Sequence, residues 1–263
     1  MALTAGASSA RDRIHRTSHV TGSSLRVLQM NLCDSGIAGC YTARSVGQAA
    51  GVIRAERPDV VTLNEVCEQD VSALHRALSG AVPGAVVDSA FAPARDSGTG
   101  DPVRCRNGQR YGNGLLVQVR PPDGGRITRA ATYPMQDTAD PEQRVWLCLH
   151  ATDRFYACTT HLASIRPAVA LRQCRYLLGT AIPALRKRGG TSDPVVLGAD
   201  LNLVTGRTPD ARSCVPAGFA HTDDGARQHV VTSGEFAVTS SRSISMRGTT
   251  DHPALLADLT RAA

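Results

Sequence analysis

The 263-residue chain reads as an α/β protein built from two packed sheets flanked by helices, not as a doubly wound parallel sheet. Three observations predict this. Apolar strand-like runs outnumber helical patterns, and the helical patterns occur only at two crossovers. Hydrophobic residues make up 42 % of the chain, enough for a sizeable core. None of the apolar runs approaches the roughly 18 residues needed to cross a membrane. Chains of this length are often single domains, and no Gly/Ser linker interrupts the sequence beyond the N-terminal stretch.

Residues 1–24 are read as a disordered leader or signal remnant, rich in small residues but without an apolar signal core. Residues 25–263 are read as one domain. Leu25–Leu32 alternates as a strand, and Cys33–Cys40 forms a loop. Thr42 is the expected N-cap of a helix presenting Val46, Ala49, Ala50 and Ile53, which Pro58 stops. Asp59–Leu63 is a buried strand, and Val71, Leu74 and Leu78 mark a second helix with Gly80 just past its end. Residues 92–113 are polar and Gly/Arg-rich, followed by a strand at Leu115–Val119. Val145–His150 and Phe155–His161 form a hairpin. A long helix over Ala168–Arg188 presents Leu171, Cys174, Leu178, Ile182 and Leu185, with Pro183 set to kink it. Val195–Leu197 is a buried strand, and strands follow at Val230–Val231, 236–240 and Leu255–Leu259.

Of the 29 basic residues only Lys187 is lysine, and the net charge is +6. Arginine's planar fork suits phosphate, and a basic surface favours a polyanionic partner over an acidic protein. Eight cysteines show no CxxC pair and no Cys/His grouping with zinc-ligand spacing, which favours an oxidised, secreted or extracytoplasmic protein. Cys148 and Cys158 lie nearly opposite across the predicted hairpin, and Cys33 and Cys40 flank one short loop. Both pairs are expected disulfides. Cys67, Cys105, Cys174 and Cys214 would form two more, by any of three connectivities.

The chemistry collects at strand ends. Asn31, Glu65, His161, Asp200 with Asn202, and Asp251 with His252 each close a strand or introduce one. Asp200 and Asn202, two residues apart, leave an extended chain on the same side. A few hard oxygen ligands suit Mg²⁺, with Mn²⁺ an alternative. A base for an attacking water and donors for phosphate oxygens complete what phosphodiester hydrolysis requires.

The motifs Leu-Gln-Met-Asn (ending at Asn31), Pro-Asp-Val-Val-Thr-Leu-Asn-Glu (ending at Glu65), Thr-Thr-His-Leu (around His161), Leu-Gly-Ala-Asp-Leu-Asn (ending at Asn202) and Thr-Asp-His-Pro-Ala-Leu (around His252) resemble the endonuclease/exonuclease/phosphatase family, the DNase I-like fold. They stand in the family's order and span residues 25–259. The resemblance implies a four-layered α/β sandwich of two mostly antiparallel sheets, and metal-dependent phosphoester cleavage. Carried over residue by residue, it implies Glu65 as main metal ligand with Asn31 beside it, and Asp251 helping to hold metal and His252. Asp200 would orient or deprotonate water, while Asn202, His161 and His252 would contact phosphate. Arg110-Tyr111-Gly112-Asn113-Gly114 is similar to the family's middle-strand segment, which makes Arg110, Tyr111 and Asn113 candidate substrate contacts.

Two departures stand out. Asn64 replaces the usual Gln before Glu65. Gln228 stands where the family carries an aspartate supporting the C-terminal histidine. Either Gln228 faces His252 directly, or Asp223 or Asp224 supplies the missing carboxylate. Charge and cysteines favour a secreted nuclease acting on DNA or RNA, expected to be monomeric. A phospholipid phosphodiesterase of the sphingomyelinase type, a phosphomonoesterase and a non-catalytic binding module on the same fold are the alternatives.

Overall fold

A computed structural model describes residues 24–119, 127–151 and 154–261; the expected leader over residues 1–24 lies, but for Ser24, outside them. Apolar alternation sorts the strands into two six-stranded sheets. The first contains β1 (Ser24–Asn31), β2 (Val60–Cys67), β3 (Val86–Pro93), β5 (Tyr111–Val119), β13 (Phe236–Ile244) and β14 (Ala254–Arg261), in the order β13-β14-β1-β2-β5-β3. The second contains β6 (Ile127–Thr132), β8 (Val145–Ala151), β9 (Phe155–His161), β10 (Val195–Asp200), β11 (Ala220–Asp223) and β12 (Gln228–Thr232), in the order β11-β12-β10-β9-β8-β6. Two short strands, β4 (Arg95–Asp96) and β7 (Glu142–Gln143), pair separately. Among the paired strands of the described residues, only β1–β2 and β9–β10 run parallel, and a helical crossover joins each of these pairs.

Helices α1 (Ser45–Glu56) and α2 (Glu68–Ala81) cover the outer face of the first sheet, where Ile53, Leu74 and Leu78 meet Leu28, Met30 and Leu63. Helices α3 (Pro167–Tyr176) and α4 (Ile182–Gly189) cover the second, with Leu178 and Ile182 against Leu197, Ala199 and Val231. The inner faces of the sheets pack on each other through Val27, Val117, Leu147, Phe155 and Val196. Each such side chain contributes about 1.5–3 kcal/mol by leaving water. The four layers match the architecture expected from the motifs.

Local departures have physical causes. Thr42 does not cap α1: its hydroxyl donates to the Thr249 carbonyl and accepts from the amide of Arg44, which is itself the N-cap, and the helix begins at Ser45. Helix α2 runs through Gly80 to Ala81. The expected long helix is α3 and α4 joined by a π-helical turn, Leu177–Ala181, that ends two residues before Pro183. Proline cannot donate the next helical hydrogen bond, and a π-turn is one way to absorb that loss. Leu171 is only partly buried, while Val169, Ala170 and Leu177 take the core face. Strands β3, β6 and β11 escaped the sequence reading, since their residues are mostly half-buried or exposed and carry no apolar run.

Four disulfides close the chain. Cys148 and Cys158 face each other in the β8–β9 register, and Cys33 pairs with Cys40. The open choice resolves as Cys67–Cys105 and Cys174–Cys214.

Candidate active site

Along each inward-facing row the residues change from apolar to polar toward one end of the sandwich. On β1 the row is Leu25, Val27, Gln29, Asn31, and on β2 it is Val60, Thr62, Asn64. On β9 it is Phe155, Ala157, Thr159, His161, and on β10 Val196, Gly198, Asp200. A methyl group on Gly198 would come within 2.1 Å of the Thr62 hydroxyl, so glycine there lets the sheets meet beneath the site.

The polar ends bond across the sheets. Asn64 accepts from the Asp200 amide at 2.9 Å, and its own amide reaches Asn113 Oδ1 at 2.9 Å and the Thr160 carbonyl at 3.0 Å. Gln29 donates to Asn64 at 2.7 Å and to Gln228 at 2.9 Å. Buried polar groups are costly unless bonded, and this network bonds them.

Above it, Asp200 is fixed by three donors. The Asn202 amide reaches Oδ1 at 3.0 Å, while Asn31 Nδ2 and Gln228 Nε2 reach Oδ2 at 3.0 and 2.8 Å. Burial resists its charge, but the flanking imidazoles of His161 and His252 and these donors hold its carboxyl below the usual range. Glu65 sits in a bulge where β2 spends Asn64 and Glu65 opposite Asn113 of β5. Its φ of 56° turns the side chain out of the pleat, and Asn202 has φ 48° at the end of β10. Burial, then Asp200 and Asp251, push the Glu65 carboxyl up, partly offset by a 2.8 Å bond from Asn31.

The two histidines have opposite company. Arg144 Nη1 lies 3.0 Å from His161 Nδ1. A guanidinium only donates, so Nδ1 accepts and the ring proton sits on Nε2, which is 3.9 Å from Glu65 Oε1. Burial and then Arg144 lower the His161 pKa to about 3, so the ring stays neutral at ordinary pH. His252 Nε2 instead lies 3.7 Å from Asp200 Oδ2 and 3.6 Å from Asp251 Oδ2.

Glu65, Tyr111, His161, Asp200, Asn202, Asp251 and His252 all line one cleft of about 410 Å³. Three expected contacts fall elsewhere. Arg110 is paired with Glu68 at 2.8 Å on the surface, outside the cleft lining. Asn113 is buried beneath the cleft, with its amide on the Val145 carbonyl and its oxygen accepting from Asn64. Asn31 turns its amide nitrogen to Glu65 and Asp200 while its oxygen accepts from the Cys33 amide at 3.1 Å. It ties the two carboxylates together. Neither alternative for Gln228 holds. Gln228 bonds Asp200, Asp223 accepts from Thr205 and Asp224 from Ala226, so the carboxylates beside His252 are Asp200 and Asp251.

Arg144, Asp140 and Glu142 were not anticipated. Arg144 is buried, bonds Asp140 at 2.7 Å and Glu142 at 2.5 Å, and orients His161. Burial first, offset by Arg144, raises the Glu142 pKa to about 7. The predicted hairpin held the clue: an antiparallel pairing that ends one strand at His161 brings the start of the other, next to Arg144, to the same end.

Comparisons with known proteins agree with the fold. Residues 39–252 match the model of the endonuclease/exonuclease/phosphatase family. A solved endonuclease/exonuclease/phosphatase from Beutenbergia cavernae superposes with TM-score 0.66 at 20 % identity, covering 91 % of this chain and 72 % of that one. The human nocturnin catalytic domain with bound sulfate gives TM-score 0.65 at 17 % identity, covering 91 % and 95 %. A Bacteroides thetaiotaomicron mannosyl-6-phosphatase gives 0.61 at 15 % identity, covering 89 % and 99 %. No curated protein sequence matches. With its ordered motifs, four-layered fold and polar cleft, the chain belongs to the endonuclease/exonuclease/phosphatase family of phosphoester hydrolases.

Proposed function

We propose that the protein is a secreted, Mg²⁺-dependent phosphodiesterase that cleaves DNA or RNA. The observation that carries this is Asp200, a buried carboxylate kept ionised by converging donors, in one cleft with Glu65 and two imidazoles. Such a group can align a water and take its proton. His161, held as the Nε2–H tautomer, can donate to a phosphate oxygen without giving up charge, and Asn202 and His252 line the same cleft. The donor set fits a hard divalent cation. Glu65, Asp200 and Asp251 gather negative charge that raises the Glu65 carboxyl, and a dication would relieve it. Glu65 and Asp251 are the residues that would hold it. When bound, such an ion neutralises charge on a phosphate oxygen.

The net charge of +6 and Arg227 in the cleft wall support a polyanionic substrate. Four disulfides support an extracytoplasmic setting. Among the described residues no helix is long and apolar enough to cross a membrane. The test is cleavage of plasmid DNA and of RNA with Mg²⁺ and again with excess EDTA. Activity that persists in EDTA, or that survives Asp200→Asn, defeats the reading.

One observation favours the phospholipid alternative. Ile37 is 70 % and Tyr41 37 % exposed, in and just after the Cys33–Cys40 loop, whose sulfurs lie within 4.8 Å of an Asp251 carboxylate oxygen. Ile165, 51 % exposed, lines the cleft. Hydrolysis of sphingomyelin vesicles, with nucleic acids left intact, would select that substrate.

A further inference from the structure

A second cluster of ligating side chains lies away from the cleft, at the outer end of the second sheet. His221 and Asp223 leave β11 two residues apart and so share a face. His229 comes from β12, directly opposite Asp223 in the antiparallel register. It follows Gln228 in the strand and therefore points to the other side from the residue that holds Asp200. His221 Nε2 and His229 Nδ1 are 2.9 Å apart, and His221 Nε2 is 3.7 Å from Asp223 Oδ2. Ligand atoms of all three lie within 4.8 Å of one another.

The surroundings orient each group toward the others. His229 Nε2 lies 2.8 Å from the Leu203 carbonyl. A carbonyl only accepts, so the proton is on Nε2 and Nδ1 presents its lone pair to His221. Asp223 accepts from the Gly225 amide at 2.8 Å through Oδ1 and from the Thr205 hydroxyl at 2.5 Å through Oδ2. Partners of this kind, a carbonyl behind an imidazole and donors behind a carboxylate, set the tautomer and direction of metal ligands. Zn–N bonds of about 2.0–2.1 Å place two nitrogens on a tetrahedral ion about 3.3 Å apart. The histidines would need to part by only a few tenths of an ångström.

We propose that His221, Asp223 and His229 form a binding site for a divalent transition cation of the Zn²⁺ class, separate from the catalytic cleft. Two imidazoles with one carboxylate select such an ion over Mg²⁺ or Ca²⁺, which take oxygen ligands. Leu203 and Thr205 belong to the segment that follows Asn202, so the ion ties β11 and β12 to the backbone that carries a cleft residue.

The test is Zn²⁺ binding to chelator-stripped full-length protein by competition titration, with Co²⁺ as a spectroscopic probe. The expected result is one tightly bound ion, the visible absorption of tetrahedral Co²⁺, and a Zn²⁺-dependent rise in melting temperature. Loss of an orienting partner costs about 10–100-fold in affinity. Thr205→Val should fall in that range, and His221→Ala, which removes a ligand, should exceed it. Asp223→Asn, nearly isosteric, should also weaken binding and stands in should His221→Ala fail to fold. His252→Ala should leave Zn²⁺ affinity unchanged. Absence of binding to the folded wild type overturns the site, as does affinity lost in His252→Ala but kept in Asp223→Asn.

Discussion

The two ends of the inter-sheet layer are made by the same strands and do opposite work. At one end Leu25, Val27, Val117, Leu149 and Phe155 pack together in one buried apolar cluster. At the other, two to four residues along the same rows, Gln29, Thr62, Asn64, Gln228 and Asp200 bond one another across the gap. The apolar end holds the sheets together by leaving water, a force without direction. The polar end gains little net stability from its bonds, yet it fixes where every cleft atom sits. Stability and placement are thus separable along a single strand, and substitutions at the two ends should separate them.

The largest effect should come from the polar end's working groups. Asp200→Asn keeps the shape and removes the charge, so hydrolysis should fall by about 10²–10⁴-fold, the usual contribution of a positioned base. Its melting temperature should change little; a parallel collapse of fold and activity would mean the ends are not separable. Leu149→Ala, at the apolar end, should reverse the pattern. Its side chain is fully buried, and emptying such a site costs about 2–5 kcal/mol. Urea unfolding should show that loss while turnover per folded molecule stays near wild type.

Gln228→Leu tests whether the network places Asp200. It strips a donor from Asp200 and leaves one of the two Gln29 amide N–H groups without an acceptor. An unsatisfied buried group costs about 1–3 kcal/mol, so both stability and rate should fall, each less than in the two preceding variants. A rate equal to wild type would make Gln228 a filler.

The smallest effect concerns pH. Asp70, at the start of α2, lies beside Asp34, which follows the polar end of β1. Burial, then Asp34, push its pKa up to about 7. A carboxyl raised above its unfolded value of about 3.9 holds a proton in the folded state that the unfolded chain has lost. Its contribution is therefore complete below about pH 4 and disappears as pH rises through about 7. Melting temperature should decline over that window, and Asp70→Asn should make the decline shallower. An unchanged slope would exonerate Asp70.

Much of this was legible in the residues. Motif order identified the family, and the alternation of Val195–Val196–Leu197 into Gly198 and Asp200 marked a buried strand ending in chemistry. Cys148 and Cys158 were paired by hairpin register alone. What escaped was whatever depended on a neighbour distant in sequence. Nothing in Gln-Arg-Val says that Arg144 will be buried against His161, 17 residues on. Arg110 belonged to a matching motif, but its long side chain found Glu68 instead. Asn113 matched as well, and was drawn under the site by Asn64 and Val145.

By itself the sequence determined the strands that carry an apolar run and the faces they bury, because backbone alternation and apolar spacing are local properties; β3, β6 and β11, which carry no such run, it did not. It also determined that His161, Asp200 and His252 would stand at strand ends, since each lies beside a recognisable run, whereas Glu65 sits in a bulge inside β2. Only the tertiary structure decided what each of them touches. Hydrogen-bond partners are chosen by strand register and by the packing of the two sheets. Register within the second sheet gave Gln228 to Asp200 and Arg144 to His161, and the packing of the sheets gave Asn31 and His252 to Asp200.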